Sequence, residues 1–271
     1  MDKSNFRAVT WQSLIKFEKQ NAFFKPKIGV LVGLSGGADS VALAHFVKQL
    51  SVKKQFSVYA CHVHHGLREM ADRDAAFAKK TAKELEIPFI LKKVNVKALA
   101  KKENLSVEHA ARKARYQALS EAAEKCGCKK IALAHHLDDN AETFLLNVLR
   151  GTKAKGLLGI PVKRALGKLE IIRPFMCITR AEVDAYVKEH KLSFINDETN
   201  FEQVYTRNWV RGTLLPLLEE KQPQIRRHIN DIAQDLYKYI SLRISSKTAE
   251  RKRPRTPQIS LTLREQAIKS T

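Results

Sequence analysis

At 271 residues the chain is long enough to bury a full hydrophobic core, with one large domain and a smaller appendage as the expected partition. Its 44% hydrophobic and 28% charged residues are ordinary for a globular protein, and no apolar run reaches the roughly 18–20 residues that span a bilayer, which argues against a helical membrane protein. Forty-nine Lys and Arg against 28 Asp and Glu leave a net charge of +21, spread along the chain rather than gathered in one tail. Such a surface favours a polyanionic partner, nucleic acid above all.

The first twenty residues mix Asp2, Lys3, Arg7 and Trp11 and lack an apolar signal core, so a cytoplasmic protein is expected. Cys61, Cys126, Cys128 and Cys177 form no Cys-x-x-Cys pair and are expected to be free thiols.

From the N-terminal side, short β-branched runs alternate with helical patterns. Strands are expected at Ile28–Leu34, Phe56–Val63, Phe89–Val94 and Lys130–Ala134, and helices at Ser40–Leu50, Ala71–Leu85, Ser106–Ala123 and Asn140–Leu149. This is the pattern of βαβ units: an α/β fold with an open parallel sheet, helices on both faces, and ligands at the strand C-terminal edge. Beyond Arg150 the glycine-punctuated, cationic Gly151–Gly159 stretch reads as a loop. A short strand is expected at Glu170–Arg173, and helices at Thr179–His190, Arg207–Leu217 and Gln224–Ile240. The polar, basic end includes Arg251-Lys252-Arg253-Pro254-Arg255.

Ser35-Gly36-Gly37-Ala38-Asp39-Ser40 lies where a buried strand turns into a helix. Paired glycines admit positive φ and close backbone approach, and the first amides of the following helix attract phosphate. Ser35 and Ser40 add hydroxyls, whereas Asp39 suits phosphate only if it holds Mg²⁺ against it. A simple Gly-Gly turn with a helix cap is the plainer alternative, and neither Walker nor Gly-x-Gly-x-x-Gly spacing is present.

Three further blocks fall near the same edge. In His62-Val63-His64-His65-Gly66-Leu67-Arg68, His62 and His64 share a strand face, which suits packing or contact with an adenine better than a zinc site. In the helix opened by Ser106, Arg112 and Arg115 share a face at i,i+3 and can grip phosphate or RNA, although a Glu108–Arg112 surface pair is as good a reading. In His135-His136-Leu137-Asp138-Asp139-Asn140-Ala141-Glu142, three acids converge at a helix start, more than capping requires, and can bind Mg²⁺ or an ammonium group.

Ser-Gly-Gly-x-Asp-Ser after a strand resembles the signature of the N-type ATP pyrophosphatases, the PP-loop superfamily, which split ATP into AMP and pyrophosphate while activating a carbonyl oxygen. The ordered set of the phosphate loop, His62–Arg68, Ser106–Tyr116, His135–Thr143, Arg150-Gly151, Gly156–Gly159, Arg173-Pro174-Phe175, Asp197–Asn200 and Arg207-Asn208 with Arg211 resembles the tRNA(Ile)-lysidine synthetase family across about residues 28–216. That resemblance implies an adenine nucleotide alpha hydrolase-like fold over residues 1–216 and a short helical, basic extension over 217–271.

It further implies ATP as substrate with Mg²⁺, free L-lysine, and tRNA(Ile) with a CAU anticodon. ATP would adenylate O2 of the wobble cytidine, and the lysine ε-amine would displace AMP to give lysidine. Ser35, Gly36, Gly37, Ala38, Asp39, Ser40 and His64 are then expected to hold ATP, with Asp39 also the Mg²⁺ ligand. Asp39, Asp139, Glu142, Arg112, Arg115 and Arg207 are the expected catalytic residues, with Asp139 and Glu142 positioning or deprotonating the amine. Larger family members carry C-terminal domains that grip the tRNA body; here Arg226, Arg227 and Arg251–Arg255 are candidate substitutes, beside the simpler reading of a solvated tail. Two rivals stand beside this: a tRNA thiolase, whose Cys-x-x-Cys pairs are missing, and a non-catalytic nucleotide-binding RNA protein. The oligomeric state is open, a homodimer being one option.

Overall fold

The computed structural model describes residues 3–66, 70–195 and 205–252. The elements run α1 (Lys3–Asn21), β1 (Val30–Gly33), α2 (Ala38–Lys54), β2 (Val58–His64), α3 (Ala71–Glu84), β3 (Phe89–Lys93), α4 (Val96–Glu103), α5 (Val107–Lys125), β4 (Lys130–Ala132) and α6 (Leu137–Leu149). A 3₁₀ turn (Ala154–Leu158), the strands β5 (Lys163–Leu166) and β6 (Leu169–Ile172), and α7 (Arg180–Glu189) follow. After the undescribed residues 196–204 come α8 (Tyr205–Trp209), a π turn (Val210–Leu214), α9 (Leu215–Lys221) and α10 (Ile225–Lys252). None of the described helices is long and apolar enough to cross a membrane.

The six strands are ordered β3-β2-β1-β4-β6-β5. Val32 of β1 pairs with Ala60 on one side and Ala132 on the other, both in parallel. The chain therefore builds outward from β1 through β2 to β3, then returns to lay β4 on the opposite side of β1. That reversal makes the loops after β1 and β4 diverge and opens a crevice at their C-terminal ends.

One sheet face packs on α1, α2, α3 and α7 through Leu14, Phe23, Leu43, Phe46, Ala78, Phe175 and Val183. The other face carries Leu31, Cys61, Ile131 and Ile171 against Leu119, Ala122 and Ala123 of α5. Both faces of β1 are thus apolar, which accounts for its unbroken Val-Leu-Val run. A third, smaller core joins Ala141 and Leu146 of α6 to Val210, Leu215 and Ile229, and so fastens the C-terminal helices to α6 rather than to the sheet.

The expected α/β sheet with helices on both faces is present, with one addition. β5 runs antiparallel to β6 at the edge, and its Lys-Arg-Ala-Leu sequence carries no strand periodicity. The hairpin turn at Gly167, with φ +58°, is what returns the chain. The stretch expected as a loop at Gly151–Gly159 contains the 3₁₀ turn. Its end is fixed by Asn140, whose Oδ1 accepts from the Ile160 amide (2.6 Å) while Nδ2 donates to Asn230 Oδ1 (2.8 Å).

Gly159 sits at φ +61°, and a Cβ there would run into Asn140 Oδ1. Gly159→Ala is therefore expected to destabilise the protein by about 2 kcal/mol or more, read from the urea midpoint, with the loss concentrated in the α6–α10 contact.

Candidate active site

The strand β1 ends at Gly33, and the next four residues turn over the top of the sheet into α2. Gly36 adopts φ +101°, open to glycine alone, and its carbonyl accepts from the Ile195 amide at 3.0 Å. Ser40 holds the turn from inside. Its Oγ accepts from the amides of Ser35 and Gly36 (3.1 Å each) and from Ser35 Oγ (3.0 Å), and donates to the Gly37 carbonyl (2.9 Å). The Ser40 hydroxyl, expected as a donor to ligand, is thus spent on shaping the loop. The first-turn amides at Ala38, Asp39 and Ser40 have no intrahelical acceptors by the geometry of a helix start, and they form an anion cradle with its dipole behind it.

Beside this loop the chain leaves β4 and enters α6. The expected start at Asn140 is moved forward to Leu137 because the Asp139 side chain accepts the His136 amide at 3.0 Å and caps the helix. The His136 ring then lies among three carboxylates: Nδ1 is 3.5 Å from Asp138, and Nε2 is 3.5 Å from Asp139 and 3.9 Å from Asp39. Burial works against its charge, but these neighbours outweigh burial and raise the His136 pKa. Burial likewise pushes Asp138 and Asp139 upward, and is overcome: His136 and bonded amides hold both below the usual carboxylate range. Asp39 differs. Its burial dominates over His136 and Arg180, and its pKa is raised.

The acids are not equivalent. Glu142, expected with Asp139 to handle an amine, is instead buried to 1% exposure under two arginines. Arg207 Nε donates to Oε2 (3.0 Å), and Arg211 donates from Nε to Oε1 (2.6 Å) and from Nη2 to Oε2 (3.1 Å). Asp138 is likewise consumed, accepting from Arg226 Nη1 (2.6 Å) and the Arg180 amide (2.7 Å). Asp39 and Asp139 remain partly exposed toward the crevice, with the guanidiniums of Arg207 and Arg211 each 3.9 Å from Asp139 Oδ1.

Arg112 and Arg115 lie exposed on α5, Arg112 stacked 5.3 Å over the Tyr116 ring. Both act electrostatically on His135, whose Nδ1 accepts from Arg173 Nε at 3.3 Å. His64 ends β2 beside Asp72 (3.2 Å), while His62 is buried against the Leu34 carbonyl (2.9 Å). Of the candidates for gripping RNA, Arg226 is turned inward to Asp138 and Glu219, whereas Arg227 bonds Glu182 at 3.1 Å while its side chain stays exposed. Arg68, the Asp197–Asn200 block and Arg253–Arg255 lie outside the described residues.

Two residues were not anticipated. His136 sits at the centre of the acids, and Arg180 of α7 reaches Asp39 Oδ2 at 3.0 Å. The signal for Arg180 was present, since a cation at the first position of a helix opposes the dipole and calls for another reason to be there.

Asp39 Oδ1 is buried without a hydrogen bond, the unspent lone pairs that a divalent cation takes up. Among the described residues no group of three or more His, Cys, Asp or Glu is arranged to hold a resident metal. The free Asp39 oxygen fits a divalent cation whose other ligands come from outside the protein.

A family model described as the PP-loop domain matches residues 10–218. The chain is 34% identical over 229 residues to a tRNA(Ile)-lysidine synthase of Petrotoga mobilis, covering 84% of this chain and 72% of that one. It is 43% identical over 193 residues to the enzyme of that name from Caldanaerobacter subterraneus, covering 70% of this chain and 40% of that one. Of other relatives of that name, from Clostridium perfringens and Bacteroides thetaiotaomicron, the chain spans about half the length. Among solved structures it shares its fold with a U34-tRNA thiolase from Methanococcus maripaludis, at TM-score 0.75 and 21% identity over 87% of this chain and 81% of that one. A PP-loop crevice flanked by the ordered histidine, aspartate and arginine blocks, on a chain this similar to named relatives, places it in the tRNA(Ile)-lysidine synthase family of enzymes.

Proposed function

We propose that this chain is a cytoplasmic enzyme that joins lysine to C2 of the wobble cytidine of a CAU-anticodon tRNA(Ile), using ATP. The observation that carries this reading is the pairing of two partly exposed carboxylates, Asp39 and Asp139, across a buried His136 beside a phosphate-shaped loop. One carboxylate lies at the loop and serves the nucleotide; the other faces the crevice between Arg207 and Arg211 and serves an ammonium group.

In the first step cytidine O2 attacks the α-phosphorus, the bond to the β-phosphate oxygen breaks, and pyrophosphate leaves with the electron pair. The loop amides at Ala38–Ser40 and the nearby arginines neutralise the leaving charge. Mg²⁺, when bound at Asp39, supplies further neutralisation of the phosphates. In the second step the lysine nitrogen attacks C2, the C2–O bond breaks, and AMP departs carrying the former cytidine oxygen. A lysine ε-ammonium has a pKa of about 10.4 in water and must shed a proton before it attacks. In this reading Asp139 orients the amine and receives that proton. Glu142 acts at one remove, fixing Arg207 and Arg211 where they meet the phosphate or RNA. Arg112 and Arg115 extend the cationic rim, and His64 serves the adenine side. Residues 217–271 are the extension that contacts RNA, through exposed side chains such as Arg227 rather than the inward-turned Arg226.

A thiolase on the same fold is disfavoured by the cysteines. All four are free, and burial pushes the thiols of Cys61, Cys128 and Cys177 up to about 12, so none of these is a thiolate at neutral pH.

Purified protein given ATP, labelled lysine and CAU-anticodon tRNA(Ile) is expected to place label in the tRNA only when ATP is present; ATP binding without incorporation would sink the proposal. Asp139→Ala is expected to keep tRNA binding, measured by filter retention, while lysine incorporation falls by about 10²-fold or more. Normal turnover in that variant would remove Asp139 from the chemistry.

The charge on His136 gives a pH test. Its pKa is raised above the ordinary 6.5, so the stability it contributes is complete below that value and fades as pH rises through the raised one. The unfolding free energy separating the parent from His136→Gln is therefore expected to be larger at about pH 6 than at about pH 9. Equal differences at both would mean that the imidazolium does not hold the acids.

A further inference from the structure

Among the described residues Arg180 is the guanidinium bonded to the acid of the phosphate loop, and its carboxylate partners are unlike those of the other arginines in the crevice. All three side chains are partly exposed, but Arg207 and Arg211 are fixed on a carboxylate with 1% exposure, whereas Arg180 is bonded to two carboxylates that are themselves partly open. Nη1 meets Asp39 Oδ2 and Nε meets Asp184 Oδ1, each at 3.0 Å.

Its backbone, by contrast, is pinned. The preceding Thr179 shares a reciprocal cap with Glu182, whose carboxylate accepts the Thr179 amide at 2.7 Å and whose own amide donates to Thr179 Oγ1 at 3.2 Å. The Arg180 amide donates to the buried Asp138 at 2.7 Å. The Cα is thus fixed to the crevice wall while the guanidinium can re-aim. A cation on the first residue of α7 also opposes the helix dipole, so capping does not explain it.

Resting on the nucleotide-binding reading of Ser35–Ser40, we propose that Arg180 is a phosphate-binding residue that exchanges Asp39 for the β- and γ-phosphates of ATP. Without nucleotide the guanidinium neutralises Asp39, a half-buried acid whose other oxygen has no hydrogen bond. A divalent cation taken up at Asp39 Oδ1 and the guanidinium at Oδ2 repel one another across a single carboxylate, which favours release of Arg180 toward the phosphates. The displaced side chain keeps Asp184 at Nε and presents its Nη groups toward the adjacent loop amides, where the phosphates collect. A planar fork suits that task because it meets two phosphate oxygens at once. Asp184 is then a positioning residue, holding the fork at the angle from which it serves either partner.

The exchange distinguishes ATP from AMP, since AMP lacks the two phosphates that Arg180 would take. Calorimetric titration with ATP and with AMP, at saturating Mg²⁺ and without tRNA or lysine, reads this apart from turnover. Arg180→Gln is expected to weaken ATP about 10- to 100-fold while leaving AMP within about twofold. Arg180→Lys, which keeps the charge and lessens the risk of misfolding, is expected to fall between the parent and Arg180→Gln for ATP. Equal weakening of both nucleotides would assign Arg180 a purely structural role and overturn the proposal, as would unchanged ATP affinity in Arg180→Gln. Failure of the parent protein to bind ATP is a different result, and would instead dismiss the nucleotide reading of the loop.

Discussion

Carboxylates buried at the edge of a sheet need cations, and that requirement organises everything built after β4. Glu142, Asp138 and Glu182 are nearly sequestered from water, and each is met by arginine from a distant part of the chain: Arg207 and Arg211, Arg226, and Arg227. Breaking such a pair by removing one partner typically costs about 3–5 kcal/mol, because the orphaned charge stays buried. The C-terminal helices are therefore held to α6 and α7 by a small apolar core and by charge that has nowhere else to go. The same lattice leaves Asp39 and Asp139 as the less committed acids, so structural neutralisation and chemical availability are divided among neighbours.

The sheet supplies the stage for that division. Reversal of strand order between β1 and β4 opens the crevice, and the two loops that diverge there carry the anion cradle and the acids, respectively. Rigidity comes from unspectacular contacts. Ser40 ties its own loop from beneath, Asp139 caps its own helix, and Asn140 spans from the 3₁₀ turn to α10. Each leaves a reactive neighbour fixed in place, as a preorganised electrostatic site requires.

Much of this was legible in the sequence, because it is written in local signals. Alternation of apolar runs marked β1, β2, β3 and β4, and two glycines with a following Ser and Asp marked the loop. The individual roles were not legible. Glu142 meets Arg207 across 65 residues and Asp138 meets Arg226 across 88, so no local pattern tells which acid will be consumed by an arginine and which left open. For the same reason the Arg226-Arg227 pair reads as basic surface, although Arg226 is an internal counterion and Arg227 an exposed partner of Glu182. The β5 strand was missed because an edge strand half in solvent has no need of apolar alternation. The forward extension of α6 rests on one side-chain bond to the His136 amide, which residue counting does not reveal.

The burial of the thiols has a consequence for the conditions in which the protein keeps its shape. Oxidants and electrophiles attack the thiolate, and three of the four cysteines hold their proton to about pH 12. Cys61 lies in β2 and Cys128 just before β4, both in the core under α5, so a bulky adduct on either would press on the strands that frame the crevice. Their protonation shields the anion cradle from that distortion. Oxidative stress that inactivates thiolate enzymes finds here a scaffold with Cys61 and Cys128 packed away, and half-buried Cys126 and Cys177 as the more exposed points of entry.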